Sequence, residues 1–193
     1  LRGFYLPPAR RHWALRDVPE QLNQGEETYW EARKLLMLAL KANPNVLECL
    51  YSPLPITVTP LAQDLLDIRH AFLSRLIYQT YNGYVMSQFK KLSADFKQHG
   101  EMRPKHNMHL IRLLLSGIQA LKTGDIMVHT GEWRDPLMTV KTGEMPLPEV
   151  DRWRLALHQE FDIAYARSKL PERPDYRAAE AWLLKARKAA LEW

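Results

Sequence analysis

EETYWEARKLLMLALKANPNVLECLYSP, from Glu26 to Pro53, carries three structural signals in close order. Thr28-Tyr29-Trp30-Glu31 alternates large residues that suit a short strand. Arg33 to Ala42 then holds almost only good helix formers. Asn43-Pro44-Asn45 stops that helix, because the residue before a proline is pushed out of the α region. Val46 to Tyr51 is a second apolar run, either a short helix or a buried strand; periodicity does not decide over so few residues. A strand, a helix and a breaker in succession predict an α+β chain rather than a pure bundle.

Working outward, Leu1 to Leu6 reads as a strand ended by Pro7-Pro8. Ala9 to Asn23 is ambiguous, with a short amphipathic turn around His12, Trp13 and Leu15, and Asn23-Gln24-Gly25 signals a turn. Ser52-Pro53-Leu54-Pro55 breaks the chain, and the boundary to a second, helical domain falls near residue 58. Thr59-Pro60 marks a helix start, and Leu61, Leu65, Ile68, Phe72 and Leu76 then repeat on one face. Asn82-Gly83 is expected to interrupt this helix before a second stretch from Tyr84 to Gln98. Lys105 to Lys122 is the most regular helix and stops at Thr123-Gly124. A brief strand is expected at Asp125 to His129, and a short helix around Leu137 to Lys141. Helices entered at Pro148-Glu149 and Tyr176 close the chain. At Trp153, Tyr176 and Trp182 the helical spacing predicts core packing.

The 193 residues suffice for one good-sized domain or two small ones, and 46% hydrophobic with 25% charged residues reads as globular. A net charge of +5 favours polyanionic partners, but the cations are scattered. Cys49 is the single cysteine, which excludes an internal disulfide and a zinc site of several thiolates. No apolar run approaches the roughly 18 residues of a membrane helix, and no signal peptide pattern is present, so cytoplasm is the expected location.

The pattern from Trp30 to Pro53, W-E-x-R-K-x-L-x-L-A-L-K-x-N-P-N-V-L-E-x-L-x-S-P, resembles the predicted nucleotidyltransferases of the DNA polymerase β superfamily associated with RNA repair. Leu1-Arg2-Gly3-Phe4-Tyr5-Leu6-Pro7-Pro8 is similar to the segment that follows that family's aspartate pair. Lys105 to Leu114 resembles its helical K-H-x-x-x-x-x-R segment. The likeness spans roughly residues 1 to 122. It implies the C-terminal part of a nucleotidyltransferase core over residues 1–58, a partial mixed sheet with attached helix, followed by a mainly helical domain over 59–193. It also implies that the chain opens just past the glycine-serine turn and paired aspartates, so that the natural start lies upstream or the chain is a fragment.

Such an enzyme transfers a nucleoside monophosphate from a triphosphate to a hydroxyl, using magnesium held by an aspartate pair and a third carboxylate. No D-x-D occurs here. The resemblance makes Glu31 the expected catalytic carboxylate and metal ligand, with Glu27, on the same face of the strand, as runner-up. Composition alone makes both solvated acids. Arg33 and Lys34 open the following helix, where cations oppose the helix dipole unless an anion lies nearby. Lys34 is the expected phosphate contact.

Lys105, His109, Arg112, Ser116 and Gln119 fall on one narrow stripe of an otherwise apolar helix. Lys105, His109 and Arg112 are expected to bind phosphates of a nucleoside triphosphate or RNA; the alternative is an ordinary wet face. His106 lies off the stripe and reads as a buried, hydrogen-bonded structural residue. Glu48, among apolar neighbours, reads as a structural ion pair with an arginine such as Arg69 or Arg112. Asn43 and Asn45 read as a helix stop.

Cys49 sits in an apolar run where thiols are inert, and no H-E-x-x-H, P-loop or G-x-G-x-x-G motif is present. The expected function is nucleotidyl transfer to an RNA end, a protein or a small molecule. The rivals are a noncatalytic nucleotide- or RNA-binding module that kept the fold, and one half of a split enzyme.

Overall fold

Glu27–Glu31 is the middle strand of a three-stranded mixed sheet in the computed structural model, which describes residues 2–7, 18–99 and 103–192, the side chains of 92–99 and 192 excepted. β1 (Arg2–Tyr5) runs parallel to β3 (Glu27–Glu31), pairing Arg2 with Thr28 and Tyr5 with Glu31. β2 (Gln21–Gln24) runs antiparallel to β3, with Gln24 opposite Glu27. The β2–β3 connection is a two-residue hairpin, and Gly25 takes the positive φ of 59° that such a turn demands. β2 lies in the segment that local patterning leaves ambiguous. Gln21-Leu22-Asn23-Gln24 is exposed throughout, so no buried face imprints alternation on it. The expected turn around His12, Trp13 and Leu15 lies outside the described residues.

The helices follow as α1 (Ala32–Leu40), α2 (Pro44–Leu50), α3 (Pro60–Asp67), α4 (Leu76–His99), α5 (Pro104–Thr123), α6 (Arg134–Thr142), α7 (Leu147–Arg167) and α8 (Tyr176–Ala189). Val46 to Tyr51 thus resolves as helix: Asn43 Oδ1 accepts from the Asn45 and Val46 N–H groups, and Pro44 takes the first helical position. No helix of the described residues is long and apolar enough to cross a membrane.

Chain contacts gather into two units, Leu1–Leu73 with Arg173–Trp193, and Ser74–Glu172. In the first, α1 buries Leu35, Leu36, Ala39 and Leu40 and exposes Arg33 and Met37, the 3.6-residue pattern of a helix covering a sheet. α8 belongs to this unit. Trp182 meets Phe4 of β1 edge-on at 5.5 Å and its Nε1–H donates to Leu61 O at 3.1 Å. Lys185 pairs with Asp64 of α3 at 2.5 Å. The sheet-bearing unit therefore extends past residue 58 and recruits the last helix.

In the second unit α5 is the centre. Leu110, Ile111, Leu113, Leu114, Leu115, Ser116, Gly117 and Ile118 are all buried, as expected for a helix covered on nearly every side by α4, α6 and α7. Gly117 makes this possible: a Cβ there would stand 2.8 Å from Phe161 Cζ and 3.0 Å from Tyr81 Cδ2. Gly124, at φ 74°, ends α5 as the sequence requires.

Four sequence expectations need correction. The apolar repeat from Leu61 to Leu76 is two helices, because α3 ends at Asp67, a 3₁₀ turn spans Arg69–Phe72, and Ser74 Oγ accepts the Leu76 N–H to start α4. Asn82-Gly83 interrupts nothing: Ile77, Tyr81, Val85 and Phe89, four residues apart, are buried across it, and packing overrides the local glycine cost. Asp125 to His129 is not a strand. The Asp125 N–H donates to Thr123 Oγ1 and Ile126 N–H to Asp125 Oδ1, a local turn in place of a ladder. Of the aromatic residues expected in the core, Trp182 is buried and Trp153 half-buried, whereas Tyr176 lies exposed in the first turn of α8.

Candidate active site

Glu31 closes β3 and opens α1, and both of its carboxylate oxygens are engaged. Oε2 accepts the Arg33 N–H at 2.9 Å and the Lys34 N–H at 3.2 Å, an N-cap that satisfies two orphan donors of the first turn. Oε1 lies 2.5 Å from Nη2 of Arg187 in α8. The residue is 8% exposed, so this charge is withdrawn from solvent and neutralised.

Glu27 is placed differently. It stands at the other end of β3, one residue before the partner of Arg2 and so beside the start of β1. Glu31 lies four residue steps along the strand, about 13 Å of rise. Its Oε2 accepts the Tyr29 hydroxyl at 2.8 Å, and that hydrogen bond holds the Tyr29 phenol above its ordinary range. Among the described residues Oε1 has no hydrogen-bond partner.

The anion that permits cations at the start of α1 is Glu20. Lys34 Nζ lies 2.6 Å from Glu20 Oε2 and holds that exposed carboxyl below its usual range, with a smaller contribution from Arg33. Arg33 itself is exposed. Cys49 fits the inert reading, since burial pushes its thiol up.

The cationic stripe belongs to the helical unit. Lys105 is exposed and His109 and Arg112 are half-buried, but Ser116 is fully enclosed, its Oγ without a hydrogen-bond partner. The stripe is therefore closed at Ser116. Gln119 is half-buried. His106 is half-buried with Nε2 enclosed and unbonded, against the expectation of a hydrogen-bonded structural histidine. Elsewhere in this unit a hollow of about 400 Å³ between α4 and α7 is lined by Met86, Phe89, Lys90, Asp151 and Arg154; no sequence-predicted residue borders it.

Arg187 and Tyr29 are the side chains bonded to the two carboxylates that sequence reasoning did not single out. Arg187 meets Glu31 across 156 residues of chain, a separation no local spacing reports. Tyr29 read only as a strand former, although a tyrosine two residues from an acid on a strand is on the acid's own face. Among the described residues no three metal-ligating side chains come together.

No curated protein and no solved structure matches the chain. A family model does, over residues 1–185, reaching beyond the residues that carry the resemblance and through most of α8. The chain belongs to RlaP, the RNA repair pathway DNA polymerase beta family.

Proposed function

We propose that the protein is a cytoplasmic nucleotidyltransferase that joins a nucleoside monophosphate to a hydroxyl on an RNA end, a protein or a small molecule. In that reaction the acceptor oxygen bonds to the α-phosphorus, the bond to the β-phosphate oxygen breaks, and pyrophosphate leaves. Magnesium, when bound, supplies charge neutralisation on the triphosphate and acidifies the acceptor hydroxyl.

The observation that carries this reading is family membership over residues 1–185, joined to the position of Glu27 at the end of β3 flanking the start of β1. A magnesium ligand is a hard anionic oxygen with a coordination site open. Glu27 fits, with one oxygen held and the other unengaged. Glu31 fits poorly, because the α1 N-terminus and Arg187 occupy both oxygens. We therefore assign the third-carboxylate role to Glu27, the runner-up in the sequence, and a supporting role to Glu31. Lys34 would exchange Glu20 for a phosphate, a small loss because exposed ion pairs contribute little. Lys105, His109 and Arg112 would contact phosphates as the sequence pattern implies.

The engaged Glu31 supports a second reading, a binding module that holds nucleotide or RNA without transferring it. Incubating the full-length protein with magnesium and each α-³²P-labelled triphosphate, with RNA and protein acceptors, separates the two. Label transfer lost in Glu27→Gln supports the enzyme. Retained nucleotide binding with no transfer to any acceptor overturns it in favour of the binding module.

A further inference from the structure

The hollow of about 400 Å³ between α4 and α7 has a cationic wall held in place by its neighbours. Arg154 lies on that wall with its side chain only 14% exposed. The Phe89 ring centroid is 5.2 Å from the guanidinium carbon, a cation–π contact. Asp151, three residues earlier on α7, accepts the Arg154 Nε–H at Oδ1, and Nη2 lies 2.8 Å from the same oxygen. These contacts fix the guanidinium by its side edge and leave Nη1 without a partner among the described residues. From α4, Lys90 adds a second cation, exposed and with no ion pair among the described residues. Two cations against one carboxylate leave the hollow positive.

A guanidinium already held in place loses less side-chain entropy on gripping a phosphate than a free one does. The form of the hollow narrows the ligand further. Met86, Ser87, Lys90 and Asp151 are all exposed. The hollow therefore does not close over a small molecule, most of whose surface a dedicated pocket would bury. An open trough with a cationic wall fits a strand that passes through it. Met86, 50% exposed, presents a soft apolar surface beside the cations, on which an unpaired base can rest. Of the acceptors proposed above, RNA is the one with that form.

We propose that this hollow is a binding site for single-stranded RNA, in which Arg154 and Lys90 grip a backbone phosphate and Met86 supports the adjoining base. This rests on the reading that the protein engages RNA, and it holds for the enzyme and the binding module alike. The full-length protein and its Lys90→Gln, Arg154→Gln and Arg152→Gln variants are titrated into fluorescein-labelled single-stranded oligouridylate. Anisotropy is read over a range of salt concentrations, with melting temperatures measured alongside. Arg152 stands two residues from Arg154, about 200° around α7, and is the control for diffuse charge. The expected result is binding weakened about tenfold in Arg154→Gln and by a smaller factor in Lys90→Gln. In each, log affinity against log salt becomes shallower by about 0.7, while Arg152→Gln stays near wild type. Equal losses in all three variants overturn the site in favour of diffuse attraction. Wild-type affinity and salt slope in either Lys90→Gln or Arg154→Gln overturn it and leave RNA bound elsewhere. No RNA binding by wild type overturns the site and the engagement of RNA together. Displacement of the labelled RNA by inorganic phosphate, at matched ionic strength, as readily as by unlabelled RNA makes this a site for free phosphate and overturns the assignment to RNA. Lys90 is exposed and without an ion pair among the described residues, so its variant decides even where Arg154→Gln lowers the melting temperature.

Discussion

Arg187 Nη2 sits 2.5 Å from Glu31 Oε1, tying the last helix to the junction where β3 becomes α1. Removing one member of a buried pair strands the other charge. Here Arg187 is 26% exposed at its side chain, so water softens the loss. Arg187→Met is expected to destabilise the sheet-bearing unit by roughly 2 kcal/mol, and Glu31→Gln with Arg187→Met by less than the sum of the two single changes. Denaturant unfolding of the four proteins in this cycle measures the coupling; additive effects would show that the contact contributes nothing.

Gly117→Ala and Gly83→Ala should move stability in opposite directions although both lie inside helices. At Gly117 the new methyl meets Phe161 and Tyr81, both fully buried and unable to swing aside. Overpacking outweighs the gain in helix propensity, and a net loss of about 1–2 kcal/mol is expected. At Gly83 nothing lies within 4 Å, so only the propensity gain of about 0.5–1 kcal/mol remains. Urea midpoints of both variants check the pair.

Acid should weaken the helical unit through His158. Burial, reinforced by Arg154, lowers its pKa below the ordinary value and outweighs the opposing pull of Asp162. Its Nε2 is enclosed without a hydrogen-bond partner. The folded state thus binds this proton less readily than the unfolded chain. The contribution is complete above about pH 6.5 and is lost as pH falls through the lower folded value. Melting curves between neutral and mildly acid pH should fall more steeply for wild type than for His158→Leu; equal slopes would count against it.

On α5, Arg112 and Ser116 share a stripe but not a fate. Arg112→Ala is expected to weaken nucleotide or RNA binding by roughly tenfold or more, as loss of a charge-assisted contact does, and Arg112→Lys to recover part of it. Ser116→Ala should leave binding unchanged and raise stability slightly, because it deletes an enclosed hydroxyl with no partner. Fluorescence anisotropy with labelled oligonucleotide and nucleotide reads both. Wild-type affinity in a folded Arg112→Ala would return the stripe to an ordinary wet face.

Much of this protein was legible before its structure. Alternation at Thr28 to Glu31, helix formers from Arg33 to Ala42, the Asn43-Pro44 stop, the Thr59-Pro60 start and the Gly124 stop are each fixed by interactions within a few residues. The sequence states them directly, and the fold has a strand, a helix, a stop and the later start and stop at these places, although the first helix already ends at Leu40 and the strand buries both Trp30 and Glu31. The family resemblance is legible for the same reason, being carried by contiguous segments.

The tertiary structure decided what depends on residues far apart in the chain. The apolar repeat from Leu61 to Leu76 looks continuous because period alone does not register a break made by the Ser74 hydroxyl and by Arg75 N–H donating to Pro171 O at 2.8 Å. Gly83 looks like a breaker because the cost of glycine is local while the burial that overrides it is not. Glu27 and Glu31 are indistinguishable as letters on one strand face. Arg187, brought from the far end of the chain, engages Glu31, while among the described residues Glu27 bonds only the Tyr29 hydroxyl. Propensity and capping energies act over a single turn, whereas the electrostatics of a carboxylate answer to whatever charge the folded chain sets beside it.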